Sequence, residues 1–259
     1  MKDTANIVGT IEWTKRTGGR LQPAERRRLV ADLARVQVGN VLGRGSAMLH
    51  LNSGRRANVS PDRLVPPDSP LTRAAEDAAA RTLTPSLLNH SYRTYRFGRA
   101  LGDLEGLEVD EELLFAAALL HDTGLVLADG SAEGSADFTL TSARVARDVA
   151  EGVGLSSHAS ETMQTAITMH HSPRISLDVG PEAYLLSAGA GVDVAGLRSW
   201  ELPRTVLEDA VRLHPREGFK AYFTKAWAVE AGRVPRGRAQ LLRRYGAFST
   251  AIALAPFEE

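Results

Sequence analysis

The chain has 259 residues, enough for one large domain or a domain with an appendage, and enough to bury a sizeable core. Its 31 basic residues are matched by 31 acidic ones, which excludes the net positive field that holds proteins on nucleic acid or anionic membranes. There is no cysteine, so disulfides, thiolate ligands and cysteine nucleophiles are excluded together, and His, Asp and Glu are the strong metal ligands that remain.

The opening Met1-Lys2-Asp3-Thr4 has no long apolar core, and the longest apolar runs fall far short of the roughly 20 residues a membrane helix needs. The expectation is a soluble, cytoplasmic protein with no membrane or nucleic-acid partner. Residues 1–66 read as an N-terminal appendage whose structure the pattern leaves undefined. Ile7 to Trp13 has the look of a short strand, Thr17-Gly18-Gly19 of a turn, and Pro23 to about Leu42 of a helix with proline at its first position and Leu29, Leu33 and Val36 on one face. Arg26-Arg27-Arg28 fan around that helix and read as a solvated face. Gly43-Arg44-Gly45-Ser46 lacks the Lys-Ser/Thr of a phosphate-binding loop. Asn58 to Pro70, with four prolines, reads as a linker.

Residues 67–259 carry helical signals almost throughout. Ser69-Pro70 opens an alanine-rich helix to about Arg81, and Thr84-Pro85 opens the next, with threonine as cap. Asp110 caps a third helix that begins Glu111-Glu112 and is apolar on nearly all sides, which marks it as central; Gly124 reads as its stop. Further helices are expected over Ser142 to Gly152, Ser157 to His171 and Pro181 to Val194. An α-rich C-terminal extension follows, with segments near Arg204 to Leu213, Arg216 to Glu230 and Gly237 to Leu254. Few runs alternate with period two, so the fold class is all-α.

Four ligand-type residues stand in this apolar helical sequence: His90, the pair His121-Asp122, and Asp193. Imidazole and carboxylate together suit zinc, iron or manganese. Asp193 shares a helical stripe with Leu186 and Ala190, Gly189 leaves space beside it, and no basic residue lies between Pro181 and Gly196 to pair with it. A lone buried carboxylate is costly, so a metal is the natural partner. His170 shares a face with Met163, Ala166 and Ile167, whereas His171 is swung about 100° away. His170 is therefore the candidate proton carrier beside Asp122, and changes at His171 are expected to be mild. His50, His158 and His214 read as surface residues.

The order His, His-Asp, Asp on a helical core resembles the HD-domain superfamily of metal-dependent hydrolases, over roughly residues 66 to 200. Pro67-Asp68-Ser69-Pro70-Leu71, Leu88-Asn89-His90-Ser91-Tyr92-Arg93, Leu119-Leu120-His121-Asp122-Thr123-Gly124 and Ala166-Ile167-Thr168-Met169-His170-His171 are similar to its cyanamide hydratase-like branch. The resemblance implies an HD-type helical bundle holding one divalent transition metal per chain, zinc first and iron or manganese next, on His90, His121, Asp122 and Asp193. Asp122 and His170 would be catalytic, with Asn89, Arg93, Thr123 and His171 near the substrate. That branch carries a carboxylate after the phenylalanine of Asp137-Phe138-Thr139, where this chain has Thr139. Two-metal members need extra histidines between the His-Asp pair and the last aspartate, and only His158, His170 and His171 stand there.

Three functions follow from these readings. The first is a hydrolase or hydratase that adds activated water to a small nitrile-like or amidine-like molecule. The alternative is a phosphohydrolase acting on a nucleotide or other phosphate ester, with Arg93, Arg96 or Arg99 as anion clamp. Third comes a metal-binding sensor without catalysis. The scarcity of lysine, only Lys2, Lys15, Lys220 and Lys225, favours a small-molecule substrate, and a homo-oligomer is compatible with the composition.

Overall fold

The computed structural model describes residues 7–127 and 136–259. Among the described residues all extended regular structure is helical, with one isolated antiparallel bridge between Arg20 and Gly237. No helix among them is long and apolar enough to cross a membrane.

The centre is α5, Glu111–Leu120, capped by the Asp110 side chain on Leu113 N and buried from Leu113 through Leu120. Each large apolar side chain buried there contributes about 1.5–3 kcal/mol, and a helix that is apolar all round is stable only when surrounded. The elements packed around it are α3 (Pro70–Thr82), α4 (Pro85–Glu105), α7 (Phe138–Gly152), α8 (Ser157–Met169) and α9 (Pro181–Ala195). Ser69 and Thr84 cap α3 and α4 through their side chains, each followed by proline in the first turn, where a missing N–H costs nothing.

Several expectations are corrected. Ile7 to Trp13 is no strand: Thr10 caps a helix, α1 (Ile11–Thr17), whose end is closed by Gly18 in the left-handed region with its N–H on Thr14 O. The helix that opens at Pro23, α2, runs to Met48. Gly124 does not stop the chain's helical course; it lies in a short helix, α6 (Thr123–Leu127), where an added Cβ would sit 2.0 Å from Phe138 O. Its role is close approach between α6 and α7. The C-terminal extension comprises α10 (Arg204–Leu213), α11 (Phe219–Arg233), α12 (Arg238–Tyr245) and α13 (Phe248–Ala253). The segment expected over Gly237 to Leu254 breaks at Gly246-Ala247, where Ala247 has φ 46°. Arg216 lies outside α11, which starts three residues later behind Gly218.

The tightest helix pair is α4 against α9, and glycine makes it possible. A Cβ on Gly189 would lie 2.1 Å from Thr94 O and 2.7 Å from Gly98 N, and one on Gly98 would lie 2.6 Å from Leu185 O. Backbone meets backbone, so the space at Gly189 admits α4 rather than standing free beside the Asp193 carboxylate. Gly189→Ala is therefore expected to destabilise the fold by at least the roughly 1–3 kcal/mol of an overpacked core. Gly232→Ala on α11, where an added Cβ meets nothing within 4 Å, should instead gain about 0.5–1 kcal/mol. Urea unfolding of both variants checks this; equal stabilities would show that the α4–α9 contact has slack.

Candidate metal centre

Each site residue stands at or near a helix end, where side chains reach the centre of the bundle. His90 is in the second turn of α4, His121 and Asp122 follow α5 directly, His170 and His171 follow α8, and Asp193 is in the last turn of α9. His90, His121, Asp122 and Asp193 are fully buried, and His170 and His171 nearly so.

Three imidazoles converge on Asp122. His90 Nε2 and His121 Nε2 stand 3.6 and 3.3 Å from Asp122 Oδ2, and His170 Nε2 stands 3.7 Å from Oδ1. The Nδ1 atoms of His121 and His170 each lie 2.7 Å from a backbone carbonyl, Ala118 O and Ile167 O, and His90 Nδ1 lies 2.7 Å from Asp193 Oδ2. A carbonyl or ionised carboxylate can only accept, so Nδ1 carries the proton on all three rings and the Nε2 lone pairs are left facing inward. Neither Asp122 oxygen has a hydrogen-bond partner although both are buried. Such an orphaned pair is costly without a ligand. Among the described residues, His90, His121 and Asp122 form the one group of three whose ligand atoms lie within 4.8 Å of one another. The donor set, two imidazole nitrogens and a carboxylate with free lone pairs, fits a divalent metal.

The electrostatics follow from burial and proximity. Burial pushes the Asp122 carboxyl upward, but the imidazoles gathered around it, His121 foremost, outweigh that and hold it well below the usual carboxylate range. Burial lowers His90, and it lowers His170 well below an ordinary imidazole with help from His121 and His171, so His170 is neutral. His121 is depressed by burial but raised on balance by the adjacent Asp122 carboxylate and by its bond to Ala118 O.

Asp193 lies behind His90 rather than beside Asp122. Its oxygens accept from Arg93 Nε at 2.7 Å and NH2 at 2.9 Å, Arg216 NH1 at 2.7 Å, and His90 Nδ1. No basic residue of its own helix pairs with it, as expected, but the inference of a lone carboxylate is corrected: the partners lie on α4 and before α11, 100 and 23 positions away, beyond the reach of a local search. Arg93, offered as an anion clamp, spends its other nitrogen on His214 O and Pro215 O, so four of its five N–H donors are committed to the protein and the side chain is fully buried. Arg96 reaches Leu64 O, and Arg99 is bound by Glu111. Thr123 Oγ1 donates to Leu120 O, and Asn89 is half-buried; neither lines the central cavity.

That cavity, about 120 Å³, is bounded by the histidine cluster and by apolar side chains including Leu33, Val36, Phe223, Trp227 and Phe248. His171 lines it too, because α8 ends at Met169 and the 100° offset of a continuing helix no longer applies. His171 Nε2 stands 3.5 Å from Asp137 Oδ2, and Arg238 holds the same oxygen at 3.2 Å. Thr139 is turned away, donating to Asp137 Oδ1. Near it, burial and the Asp137 charge push Glu230 up to about 7. Asp137, Glu230, Arg238 and Arg216 escaped sequence reasoning; none sits in a repeated spacing. His50 and His158 are exposed as expected, but His214 is half-buried, stacked on Tyr92 at 4.6 Å, and lowered to about 4 by burial and by Arg96 and Arg93.

Comparison with known proteins places this arrangement. Two cyanamide hydratases of Saccharomyces cerevisiae, DDI2 and DDI3, are each 36% identical to the chain over 59 residues, 22% of this chain. The match spans 26% of the length of these relatives. The HD domain family model matches residues 87–219, just over half of the chain, from the turn before His90 past Asp193 to the first residue of α11. Proteins of this superfamily are mostly metal-dependent hydrolases and bind divalent metals, and His90, His121 and Asp122 converge as a group that could hold one. The chain belongs to the HD domain family.

Proposed function

We propose that the chain is a metal-dependent hydratase that adds water to a small nitrile-like or amidine-like molecule, in the manner of cyanamide hydration to urea. The observation that carries the reading is Asp122: a buried carboxylate with no hydrogen-bond partner, ringed by three imidazoles whose lone pairs face it. His90, His121 and Asp122 would hold one metal, zinc by preference and iron or manganese next for this nitrogen and oxygen donor set. The metal supplies Lewis acidity, bringing the pKa of water toward neutrality.

The remaining work falls to the chain. His170 is neutral with Nε2 free, 3.7 Å from Asp122 Oδ1, so it can take the proton that water loses and return it to the substrate nitrogen as the oxygen bonds to carbon. The second water proton reaches the product when the imidic acid tautomerises to the amide. The apolar walls exclude bulk water, which strengthens each charge interaction inside.

Size and charge favour a small neutral substrate. A cavity of about 120 Å³ is close to the ~150 Å³ that holds benzene and below the ~300–1,000 Å³ of drug-sized sites. Among the described residues no lysine or arginine lines it, which weighs against the phosphohydrolase alternative. The 36% identity to two cyanamide hydratases points the same way.

The protein is expected to purify with about one divalent metal per chain. His121→Ala and Asp122→Asn should lose it, whereas His170→Gln should keep it while kcat falls roughly 10²–10⁴-fold. Elemental analysis decides; ligand variants that carry as much metal as wild type would move the site elsewhere. The reaction itself is tested with two panels: cyanamide and small nitriles, followed by urea or amide formation, and nucleoside mono- and triphosphates, followed by phosphate or nucleoside release. Turnover is expected in the first. Nucleotide turnover lost in Asp122→Asn, with every nitrile untouched, would overturn the hydratase reading.

A further inference from the structure

Helix α2 is poorly explained by the rest of the molecule. It has 26 residues, of which Leu29, Leu33 and Asn40 are buried. Helices of this kind draw most of their stability from a packed apolar face, yet the larger apolar surface of α2 faces outward. Val38 is 61% exposed, Val41 and Leu42 69%, Met48 82% and Leu49 70%, with Leu51 at 76% just beyond the helix.

These positions are not scattered. At 100° per residue, Val38, Val41, Leu42, Gly45, Met48 and Leu49 fall within an arc of about 120°. An added Cβ on Gly45 meets nothing within 4 Å, so the middle of the stripe is open for a second backbone to approach. The stripe carries no charge: Arg44 is turned under the helix, donating to Asn40 Oδ1, Ala195 O and Leu254 O. The exposed apolar area of these side chains is on the order of 700 Å², above the 300–600 Å² patch of a typical monomer and near the ~800 Å² each partner buries in a standard interface.

We propose that this face of α2 is a twofold interface with a second copy of the same chain, the two α2 helices packing on each other about an axis near Leu42 and Gly45. Self-association fits better than a lipid surface. Exposed arginines lie beyond both ends of the stripe, at Arg35 and Arg55-Arg56, but the one arginine beside it is tied inward, and an open glycine at its middle favours helix–helix contact over lipid. In a closed pair each copy offers the same patch, so residues near the axis meet their own counterparts.

The absence of native cysteine makes this directly testable. Light scattering after gel filtration should give twice the 27.9 kDa chain mass for wild type at tens of micromolar, and a monomer for Leu42→Glu with unchanged helical circular dichroism. Single variants Val38→Cys, Leu42→Cys and Met48→Cys, oxidised at low concentration, should form disulfide dimers most readily at Leu42. Glu161→Cys, exposed on α8, should not. A monomeric wild type with no cross-linking above the Glu161→Cys control overturns the proposal. So does a dimer that survives Leu42→Glu without cross-linking through α2, or a monomer that instead sediments with anionic vesicles in an α2-dependent way.

Discussion

One buried carboxylate, Asp193, ties the molecule's parts together. It sits on α9, accepts two hydrogen bonds from Arg93 and one from His90, both on α4, and takes a further one from Arg216 ahead of α11. Burial raises its pKa, but the two guanidinium groups and the His90 bond more than offset that and hold it well below the carboxylate range. Removing one partner from such a cluster leaves an uncompensated charge in the interior, typically about 3–5 kcal/mol. The geometry is possible because Gly98 and Gly189 let the two helix backbones touch. Phe219 completes the arrangement: His90 stacks on it at 4.7 Å, and the Arg93 and Arg216 guanidinium groups lie 5.5 and 4.9 Å from its ring centre.

From this anchor the centre follows. The bond at Nδ1 fixes the His90 tautomer, which turns Nε2 toward His121 and Asp122. Backbone carbonyls perform the same task for His121 and His170. The imidazoles are thus oriented before any ligand arrives, and the cost of ordering them falls on folding rather than on binding.

Much of this was legible in the chain. Ser69-Pro70, Thr84-Pro85 and Asp110 announce helix starts because capping is local chemistry, and all three hold in the structure. The continuous apolar run before His121 reads as a buried central helix because no face of it tolerates water. What stayed hidden is non-local. Arg216 pairs with Asp193 across 23 positions and Arg93 across 100, and no periodicity encodes either. Ile7 to Trp13 reads as a strand because a short apolar run suits strand or helix alike, and the Thr10 cap decides for helix. His171 was misplaced by extrapolating a helix two residues past its end.

The cavity walls are shared between the stretch that carries the histidine cluster, which adds Pro173, Ala190, Val194 and Leu197, and the two ends of the chain. His90, His121, Asp122 and His170 all lie within residues 87–219, while Leu33, Gln37, Phe223, Trp227, Phe248 and Ala251 lie outside that stretch, toward the two ends of the chain. The aromatic part of the wall is therefore written outside the stretch that carries the ligand cluster. Drift in the terminal segments can reshape the space beside the histidine cluster without touching the cluster itself, so kinship across the central stretch speaks for the ligand set more than for the contour of the room it faces.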